Sequence, residues 1–486
     1  MTEIIILSLY VLALLLLFAY SVLQLDLALR YRRSVAVGSA PAPADLAQKP
    51  VITVQLPIYN ELHVAERIVR QCARMRYPRE KLQIQVLDDS TDDTTAIVAR
   101  AVEELRNAGH WVEHVRRGSR EGFKAGALRD ALPLAQGELV AIFDADFLPA
   151  EDFLDCVLPH FQQPEVGAVQ TKWGHLNEEH SMLTRLQAFM LEAHFTVEQA
   201  GRCASGYFLN FNGTAGIWRK SAILDAGSWS AETLTEDVDL SHRAQRRGWK
   251  IHYVLEHISP AELPIEMGGV RSQQYRWMKG GSQNARRHLP ATLRAQTSTL
   301  ARLQAMSHLL STSVYVVLLA VILLSIALAK VKNTYIEFEY VHYGMFFFLS
   351  TGTLGAVYFI AQRSRISGAS DFLRFLWTML CFLVFTLGLT LHNSIAVLQG
   401  WTGHRSAFVR TPKYGGGQWH SSRYARKTPY RIIVPEVLLL SLIGLGMYWG
   451  FTRGQFALYP IQIMASCGLI WVITRSFMDS LRIQAR

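Results

Sequence analysis

The chain has 486 residues, of which 50% are hydrophobic, and carries a formal net charge of +10. This length is sufficient for one large soluble domain and several membrane spans. The basic residues cluster beside apolar segments rather than along one soluble face, which argues against a nucleic-acid-binding protein. The five cysteines form no C-x-x-C pair, so their spacing argues against a disulfide framework or a zinc site and is typical of a reducing compartment.

The first predicted element is a membrane-spanning helix. Residues 4–25, "IIILSLYVLALLLLFAYSVLQL", provide the run of about twenty apolar residues that a spanning helix needs. A signal peptide would have a shorter apolar core and a small-residue cleavage site, whereas "RYRR" follows here. Because positive charge collects on the cytoplasmic side, we expect this end of the helix in the cytoplasm. The sequence therefore predicts an uncleaved anchor over residues 1–33 and an Ala- and Pro-rich linker over residues 34–50.

Residues 51–270 alternate short apolar runs with helical patterns. The runs "VITVQLP", "LQIQVLDD" and "LVAIFDAD" are each followed by a predicted helix. This alternation predicts an α/β domain with a Rossmann-like, mostly parallel sheet. Ligands bind at the carboxyl ends of the strands in such sheets. Asp88 and Asp89 fall at one such end and Asp144 and Asp146 at another, so we expect the two acidic pairs to converge on one crevice.

The remaining apolar runs predict a helical membrane region. An amphipathic interface segment is expected over residues 271–300, and the membrane region over residues 301–486. Four spans are predicted by length and apolar character, near residues 307–329, 341–361, 432–451 and 456–475. Together with the N-terminal helix they make five spans.

A basic segment decides which apolar runs are expected to cross. Residues 400–431 contain no acid and carry Arg405, Arg410, Lys413, Arg423, Arg426, Lys427 and Arg431. The charge rule predicts a cytoplasmic loop, so one of the three apolar runs before it must not cross. Residues 372–398 begin beside Asp371 and Arg374 and contain His392 and Asn393. We therefore predict an interfacial helix over 372–398.

Two of the acidic motifs follow strands, and each has a structural and a catalytic interpretation. Asp88 and Asp89 could cap the next helix, but a cap needs one carboxylate, which leaves the other for a ligand. Asp144 and Asp146 form a D-x-D pair. It could be an acidic turn, or it could hold a hard divalent cation that in turn binds a diphosphate.

A third acidic motif, T-E-D, places Glu236 and Asp237 in the first turn of a predicted helix. Acidic residues there suit the helix dipole. In the catalytic interpretation Asp237 is a general base that takes a proton from an attacking hydroxyl. Lys124 lies between Gly122 and Gly126, where it could be a surface lysine or could contact a phosphate.

Two further segments combine aromatic and polar side chains. "FNGTAGIWRK", residues 211–220, is either a plain loop or a wall for a sugar. In "SQQYRWMKGGSQNARR", just before the membrane region, Gln273, Arg276 and Trp277 fall at positions i, i+3 and i+4. This spacing places the three side chains on one face of a helix.

The motifs occur in the order D-D, D-x-D, T-E-D and Q-Q-x-R-W, between an anchor and a membrane bundle. In this order the chain resembles the processive family 2 glycosyltransferases, which share the GT-A fold and include cellulose synthase. The strings "PIYNE", "QVLDDSTD", "KAGAL", "IFDADF", "LTRLQ", "FNGTAG" and "QQYRW" resemble in particular the plant cellulose-synthase-like proteins that make mannan, glucomannan and xyloglucan backbones. The resemblance is dense over residues 51–281 and looser in the membrane part, where it includes "RTPKYG".

The resemblance implies a role for each matching residue. It places the nucleotide sugar against Tyr59, Glu61, Asp88, Asp89, Lys124, Asp144, Gln273 and Arg276. It implies that Asp144 and Asp146 hold Mg²⁺ or Mn²⁺, which stabilises charge on the leaving diphosphate. It assigns the acceptor site to Phe211, Asn212, Gly213, Thr214, Glu236 and Trp277. Asp237 would deprotonate the acceptor hydroxyl as it attacks the anomeric carbon from the opposite face, so that the product is β-linked.

Two enzymatic functions stay open at this point. One is processive synthesis of a β-glycan, such as a glucan, mannan or glucomannan, which "FNGTAG" favours. The other is one-step transfer to a lipid acceptor, as in ceramide glucosyltransferases. UDP-glucose and GDP-mannose both fit as donors. A transporter or assembly subunit with a degenerate domain would lack the carboxylates that are present here. The expected location is a bacterial inner or plasma membrane, with about five spans and a cytoplasmic catalytic domain.

Overall fold

A computed structural model describes residues 2–37, 48–331, 339–404, 406, 409–416, 419, 422–425 and 427–484. Most of the predicted linker, residues 34–50, lies outside these ranges. Its first residues belong to helix α1, which runs over Thr2–Val37. The N-terminal anchor is therefore longer than its apolar run, because the helix continues through the basic segment that follows.

A mixed sheet organises the soluble domain. In the described part of the chain it has seven strands: β1 (Ile52–Ile58), β2 (Leu82–Asp88), β3 (Val112–Val115), β4 (Leu139–Ile142), β5 (Val166–His175), β6 (Gly216–Arg219) and β7 (Lys250–Ala261). Their order is β3-β2-β1-β4-β6-β5-β7. Strand β6 runs antiparallel to both neighbours, and the other pairs are parallel. The predicted mostly parallel sheet is confirmed.

Helices cover both faces of this sheet. They are α2 (Ala65–Ala73), α3 (Thr94–Asn107), α4 (Phe123–Ala131), α5 (Phe153–Val157), α6 (Met182–Glu192), α7 (Ala200–Ala204), α8 (Lys220–Asp225) and α9 (Glu236–Arg246). A π-helical turn, Ala193–Gln199, joins α6 to α7. Strand β1 shows why both faces are covered. Val54 and Leu56 pack into an apolar core, while Gln55, equally buried, donates to Gln85 on the next strand.

After the soluble domain the described residues form eight further helices: α10 (Met267–Leu293), α11 (Thr299–Leu310), α12 (Val314–Lys330), α13 (Glu339–Ala361), α14 (Ala369–Gly388), α15 (Thr390–Thr402), α16 (Tyr430–Thr452) and α17 (Tyr459–Gln484). Five described segments are long and apolar enough to cross a membrane: Thr2–Ala36, Thr299–Lys330, Ala369–Gly388, Tyr430–Thr452 and Phe456–Ile483. The predicted number of spans is therefore reproduced.

The two sets of spans differ at one place. The described apolar part of α13, Met345–Ala361, is shorter than the other candidates. Instead, α14 is long enough to cross, although the sequence predicted one interfacial helix over 372–398. The structure has two helices there, which meet at Leu389. His392 and Asn393, the polar residues on which the predicted interfacial helix was based, contact α10 within the protein. Asn393 lies 3.4 Å from Gln274 of α10, and His392 hydrogen-bonds the Arg271 carbonyl.

Helix α10 joins the soluble domain to the membrane helices, so the predicted boundary at residue 270 falls inside a single helix. Arg271 forms a bidentate ion pair with Glu436 of α16, with N–O distances of 2.6 and 2.8 Å. Both side chains are at most 2% exposed. One face of α10 is thereby held against the bundle, and the opposite face is directed to the carboxyl ends of the strands.

Candidate functional site

A cleft lies at the carboxyl ends of the strands, where the sequence predicted a ligand site. It is bounded by the ends of β1, β2 and β4, the start of α9, one face of α10 and residues 410–413. Most of the predicted site residues line it: Tyr59, Glu61, Asp89, Lys124, Asp144, Asp146, Asn212, Gly213, Glu236, Asp237, Gln273, Arg276 and Trp277. The structure thus brings the motifs together although they are far apart in the chain.

Three predicted site residues are turned away from the cleft. Asp88 is buried, and its carboxylate accepts hydrogen bonds from Ser90 N and pairs with His114. Phe211 packs in the core, 5.5 Å from Trp218 between ring centroids. Thr214 is buried, and its hydroxyl accepts from the backbone N–H of Asp144 at 2.8 Å. These side chains hold the walls of the cleft rather than facing a ligand.

One end of the cleft combines an aromatic ring with fixed positive charge. The Arg120 guanidinium lies over the Tyr59 ring, 3.3 Å from its centroid. Asp89 is held by two hydrogen bonds from Arg117, at 2.6 and 2.8 Å. A planar base can stack in such an arrangement, and the cations suit its phosphates. Neither arginine is among the site residues expected from the sequence, although the basic run "RRGSREGF" between β3 and α4 is a visible signal.

The D-x-D carboxylates lie at the centre of the cleft, each beside a lysine. Lys124 Nζ lies 2.5 Å from Asp144 Oδ1, and Lys413 Nζ lies 2.6 Å from Asp146 Oδ2. Two carboxylates one residue apart at a strand end provide the oxygen ligands that Mg²⁺ or Mn²⁺ prefers. The donor set therefore fits a hard divalent cation. Burial lowers the pKa of Lys124, but Asp144 and Glu236 outweigh it, so that the pKa is raised and the ammonium is retained.

Glu236 and Asp237 open helix α9 at the wall of the cleft. Burial, together with the Glu236 carboxyl, raises the pKa of Asp237 to about 7. Burial also raises the pKa of Glu236. The backbone at Gly213 lies close to the Asp237 carboxyl, since a Cβ on Gly213 would lie 3.0 Å from Asp237 Oδ2. A carboxyl with a pKa near 7 that faces a cleft is suited to proton transfer.

Helix α10 forms the floor of the cleft. Gln273, Arg276 and Trp277 face it, as their spacing predicted. The helix packs closely on the T-E-D motif, since a Cβ on Gly280 would lie 2.6 Å from Thr235 Oγ1. Asn284, one turn further, donates to the same hydroxyl at 2.8 Å. The Gln-Gln-x-Arg-Trp segment and the candidate base are thus parts of one packed unit.

Part of the basic segment 400–431 reaches the cleft, although no residue of this segment is expected there from the sequence. Arg410 forms a bidentate pair with Glu61, at 2.6 and 2.7 Å. Burial raises the pKa of Glu61 to about 7, against the opposing effect of Arg410. Lys413 reaches Asp146 and also donates to the Glu262 carbonyl. The signals in the sequence are the absence of acids, which the charge rule explains by membrane topology, and the string "RTPKYG", to which the resemblance assigns no role.

A second cavity, of about 420 Å³, continues from the cleft into the helical bundle. The two spaces share Trp173, Asn212, Asp237 and Trp277. Polar side chains such as Glu198, Asn210 and His308 line the second cavity together with Leu318, Leu354, Val357 and Phe382 of the membrane helices. A molecule that reaches Asp237 from this side would therefore pass between membrane helices.

Comparison with known proteins supports the sequence interpretation. Residues 50–280 match the family model described as "Glycosyltransferase like family 2". The chain is 42% identical over 238 residues to a probable glucomannan 4-beta-mannosyltransferase 7 of Oryza sativa subsp. japonica, which covers 48% of this chain and 41% of the relative. It is 38% identical over 259 residues to glucomannan 4-beta-mannosyltransferase 7 of Arabidopsis thaliana, covering 52% and 47%. The chain thus spans less than half the length of these curated relatives.

Among solved structures, the chain is similar to the mannosyltransferase PcManGT of Pyrobaculum calidifontis, solved in complex with GDP-Man and Mn²⁺. The TM-score is 0.52 at 20% identity, over 83% of this chain and 100% of that protein. At this identity the likeness concerns the fold. It confirms the predicted GT-A fold, here with a mixed sheet of seven described strands.

Proposed function

We propose that the protein transfers hexose from a nucleotide sugar to a growing β-glycan at a membrane, with inversion at the anomeric carbon. The premise is that residues 50–280 match the model of glycosyltransferase family 2. The observation that carries the proposal is the position of Asp237. It shares the cleft with the Asp144–Asp146 pair and with Lys124, and its pKa is raised to about 7. A base and a diphosphate site are the two parts that an inverting transfer needs.

The donor is assigned to the side of the cleft formed by β1, β2 and β4. The Tyr59 ring, covered by Arg120, suits the base, and Asp89 suits the nucleoside beside it. Lys124 and Arg276 are placed to offset diphosphate charge. Asp144 and Asp146 would hold Mg²⁺ or Mn²⁺, which when bound stabilises negative charge on the leaving diphosphate.

Asp237 is assigned as the general base. In its ionised form it takes the proton of the acceptor hydroxyl as that oxygen attacks the anomeric carbon. The attack comes from the face opposite the diphosphate, so one displacement inverts an α-linked donor to a β-linked product. A base with a pKa near the working pH is both available and strong enough for this step. Gly213 permits the approach of the acceptor wall to the Asp237 carboxylate.

The acceptor is assigned to the side of Trp277 and Asn212. The indole of Trp277 offers a flat apolar face of the kind on which sugar rings pack, and Asn212 offers an amide for hydroxyls. The second cavity continues from these residues and provides room for the units already joined. The names of the curated relatives favour mannose as the transferred sugar and a mannan or glucomannan as the product.

A second candidate function is one-step transfer to a lipid acceptor. The observation that favours it is the set of apolar side chains that the membrane helices contribute to the second cavity, namely Leu318, Leu354, Val357 and Phe382. Acyl chains pack against such side chains, whereas a hydrated glycan gains little from them. In both candidates the transfer step and the base are the same.

The test uses the full chain, purified and returned to lipid. It is incubated with radiolabelled GDP-mannose or UDP-glucose in the presence of Mn²⁺ or Mg²⁺, and the products are treated with mannanase and glucanase. Label that becomes soluble after mannanase treatment supports the glycan proposal with mannose as the sugar. Label that partitions into organic solvent and resists both enzymes would support the lipid candidate instead.

A further inference from the structure

Three side chains with metal-ligating atoms meet on the soluble domain outside the cleft. They are Asp152, Cys156 and His257, and one ligand atom of each lies within 4.8 Å of the others. Asp152 precedes helix α5 and Cys156 lies one turn later, where its backbone N–H donates to the Asp152 carbonyl. Positions i and i+4 lie on the same helix face, so both side chains point to one side.

His257, the third residue of the cluster, comes near Asp152 and Cys156 because of a bulge in β7. Thr171 of β5 pairs with Val254, but the next residue, Lys172, pairs with Ile258. Residues 255–257 therefore have no partner in β5, and a bulge of this kind redirects the side chains that it contains. Phe153 of α5 packs edge-to-face on the His257 ring, with 5.5 Å between centroids. The imidazole is thus held against the start of α5.

Two observations indicate that this cluster has an unused binding capacity. His257 Nε2 is buried and has no hydrogen-bond partner in the described part of the chain. A buried polar atom without a partner is costly, and such atoms frequently mark a missing ion or water. Asp152 occupies the N-cap position of α5, yet its side chain makes no capping hydrogen bond. Its carboxylate is directed elsewhere, to the cluster and to Arg76 at 3.5 Å.

We propose that Asp152, Cys156 and His257 bind a divalent cation of the zinc type, with water at the fourth position. The ligand set of one oxygen, one sulfur and one nitrogen suits a borderline-soft ion, and it differs from the all-oxygen D-x-D pair that suits Mg²⁺ or Mn²⁺. Binding requires the Cys156 thiol to lose its proton. It also requires the exposed Arg76 guanidinium to move away from the Asp152 carboxylate, so that this carboxylate can bind the ion. The sequence argued against zinc because its cysteines are unpaired, and only the bulge brings His257 to Cys156.

The cluster of Asp152, Cys156 and His257 lies next in the chain to segments that form a wall of the cleft. Asp152 follows the D-x-D segment shortly, and His257 shortly precedes Glu262 in the chain. The two segments already touch, since Leu148 N donates to the Pro260 carbonyl at 2.9 Å. Glu262 in turn accepts a hydrogen bond from Arg67, and its carbonyl accepts one from Lys413. An ion at the cluster would fasten α5 to β7 behind this wall of the cleft.

The test is a Co²⁺ titration of the reduced, full-length protein in detergent, followed by absorption. A Cys thiolate bound to Co²⁺ gives a charge-transfer band in the near ultraviolet, and the D-x-D pair, which contains no sulfur, does not. We expect this band to saturate at about one equivalent and to disappear when Zn²⁺ displaces Co²⁺. Cys156→Ser should abolish the band. His257→Gln should weaken binding by at least about tenfold, the lower end of what changes around a metal site cost.

Cys203→Ser is the matched control. Cys203 is also a half-buried cysteine beside a histidine, with its sulfur 4.0 Å from His252 Nδ1, but no carboxylate of the described residues completes a metal-ligating group with it. This variant should keep the full band. Absence of a thiolate band in the wild type, or a band that survives Cys156→Ser, would overturn the proposal. Because the readout is spectroscopic, it is independent of whether the protein transfers sugar.

Discussion

The substitution Gly213→Ala is the most direct test of the contact between the acceptor wall and Asp237. Gly213 has φ +80°, and a Cβ there would lie 3.0 Å from Asp237 Oδ2 and 3.5 Å from Lys124 Nζ. Gly213→Ala therefore adds two effects. The left-handed conformation costs an alanine about 1–2 kcal/mol. The methyl group also forces the Asp237 carboxyl to move by a few tenths of an ångström. Because a full misplacement of about 1 Å can reduce the rate roughly 100-fold, we expect this smaller shift to reduce transfer by about tenfold.

Gly206→Ala separates these effects. Gly206 also has a left-handed backbone, with φ +64°, but a Cβ there meets no atom of the described residues within 4 Å. Both variants should lose a similar amount of stability, about 1–2 kcal/mol by thermal unfolding. Only Gly213→Ala should lose most of its activity in the labelled-donor assay. If Gly213→Ala stays near the wild-type rate, or if Gly206→Ala loses as much, the assigned contact between this wall and Asp237 is incorrect.

Three further predictions concern the base and the membrane contact. Asp237→Asn should reduce transfer by at least about 100-fold, while donor affinity measured by calorimetry stays close to that of the wild type; substantial turnover would remove Asp237 as the base. The Asp237 carboxyl acts as a base in its deprotonated form, and its pKa is raised to about 7. The transfer rate of the wild type should therefore rise as the pH increases through neutrality. A rate that stays flat from about pH 5.5 to 8.5 would contradict the assignment of Asp237 as the base. Arg271→Met should lower the free energy of unfolding by about 3–5 kcal/mol because it leaves Glu436 buried and unpaired. The double variant Arg271→Met with Glu436→Leu should recover most of the thermal stability.

The positions of the acidic motifs could be predicted because they depend on local patterns. A short apolar run followed by carboxylates marks the end of a strand, and parallel strands end at the same edge. Asp89, Asp144 and Asp146 accordingly line one cleft. The orientation of individual side chains was harder to predict. Asp88 and Asp89 are adjacent, so they point to opposite sides, and the sequence does not say which one faces the ligand.

Long-range contacts were not predictable from the same patterns. Arg410 and Lys413 reach Glu61 and Asp146 from the far end of the chain, and no local period signals such a meeting. The polar residues of α15 were similarly misleading. His392 is a polar residue in an apolar run, which indicates an interface when helices are considered singly, but its partner is the backbone of α10. Packing between helices supplies information that a single segment does not contain.

The ion pair between Arg271 and Glu436 has a consequence for how the protein responds to its surroundings. It fixes α10 to α16, and the opposite face of α10 carries Trp277 at the floor of the cleft. Helices in a bilayer change their tilt when the hydrocarbon layer becomes thicker or thinner. A tilt of α16 would be transmitted through this ion pair to the surface that we assign to the acceptor. The rate of transfer is therefore expected to depend on bilayer thickness, even where the lipid is not itself a substrate.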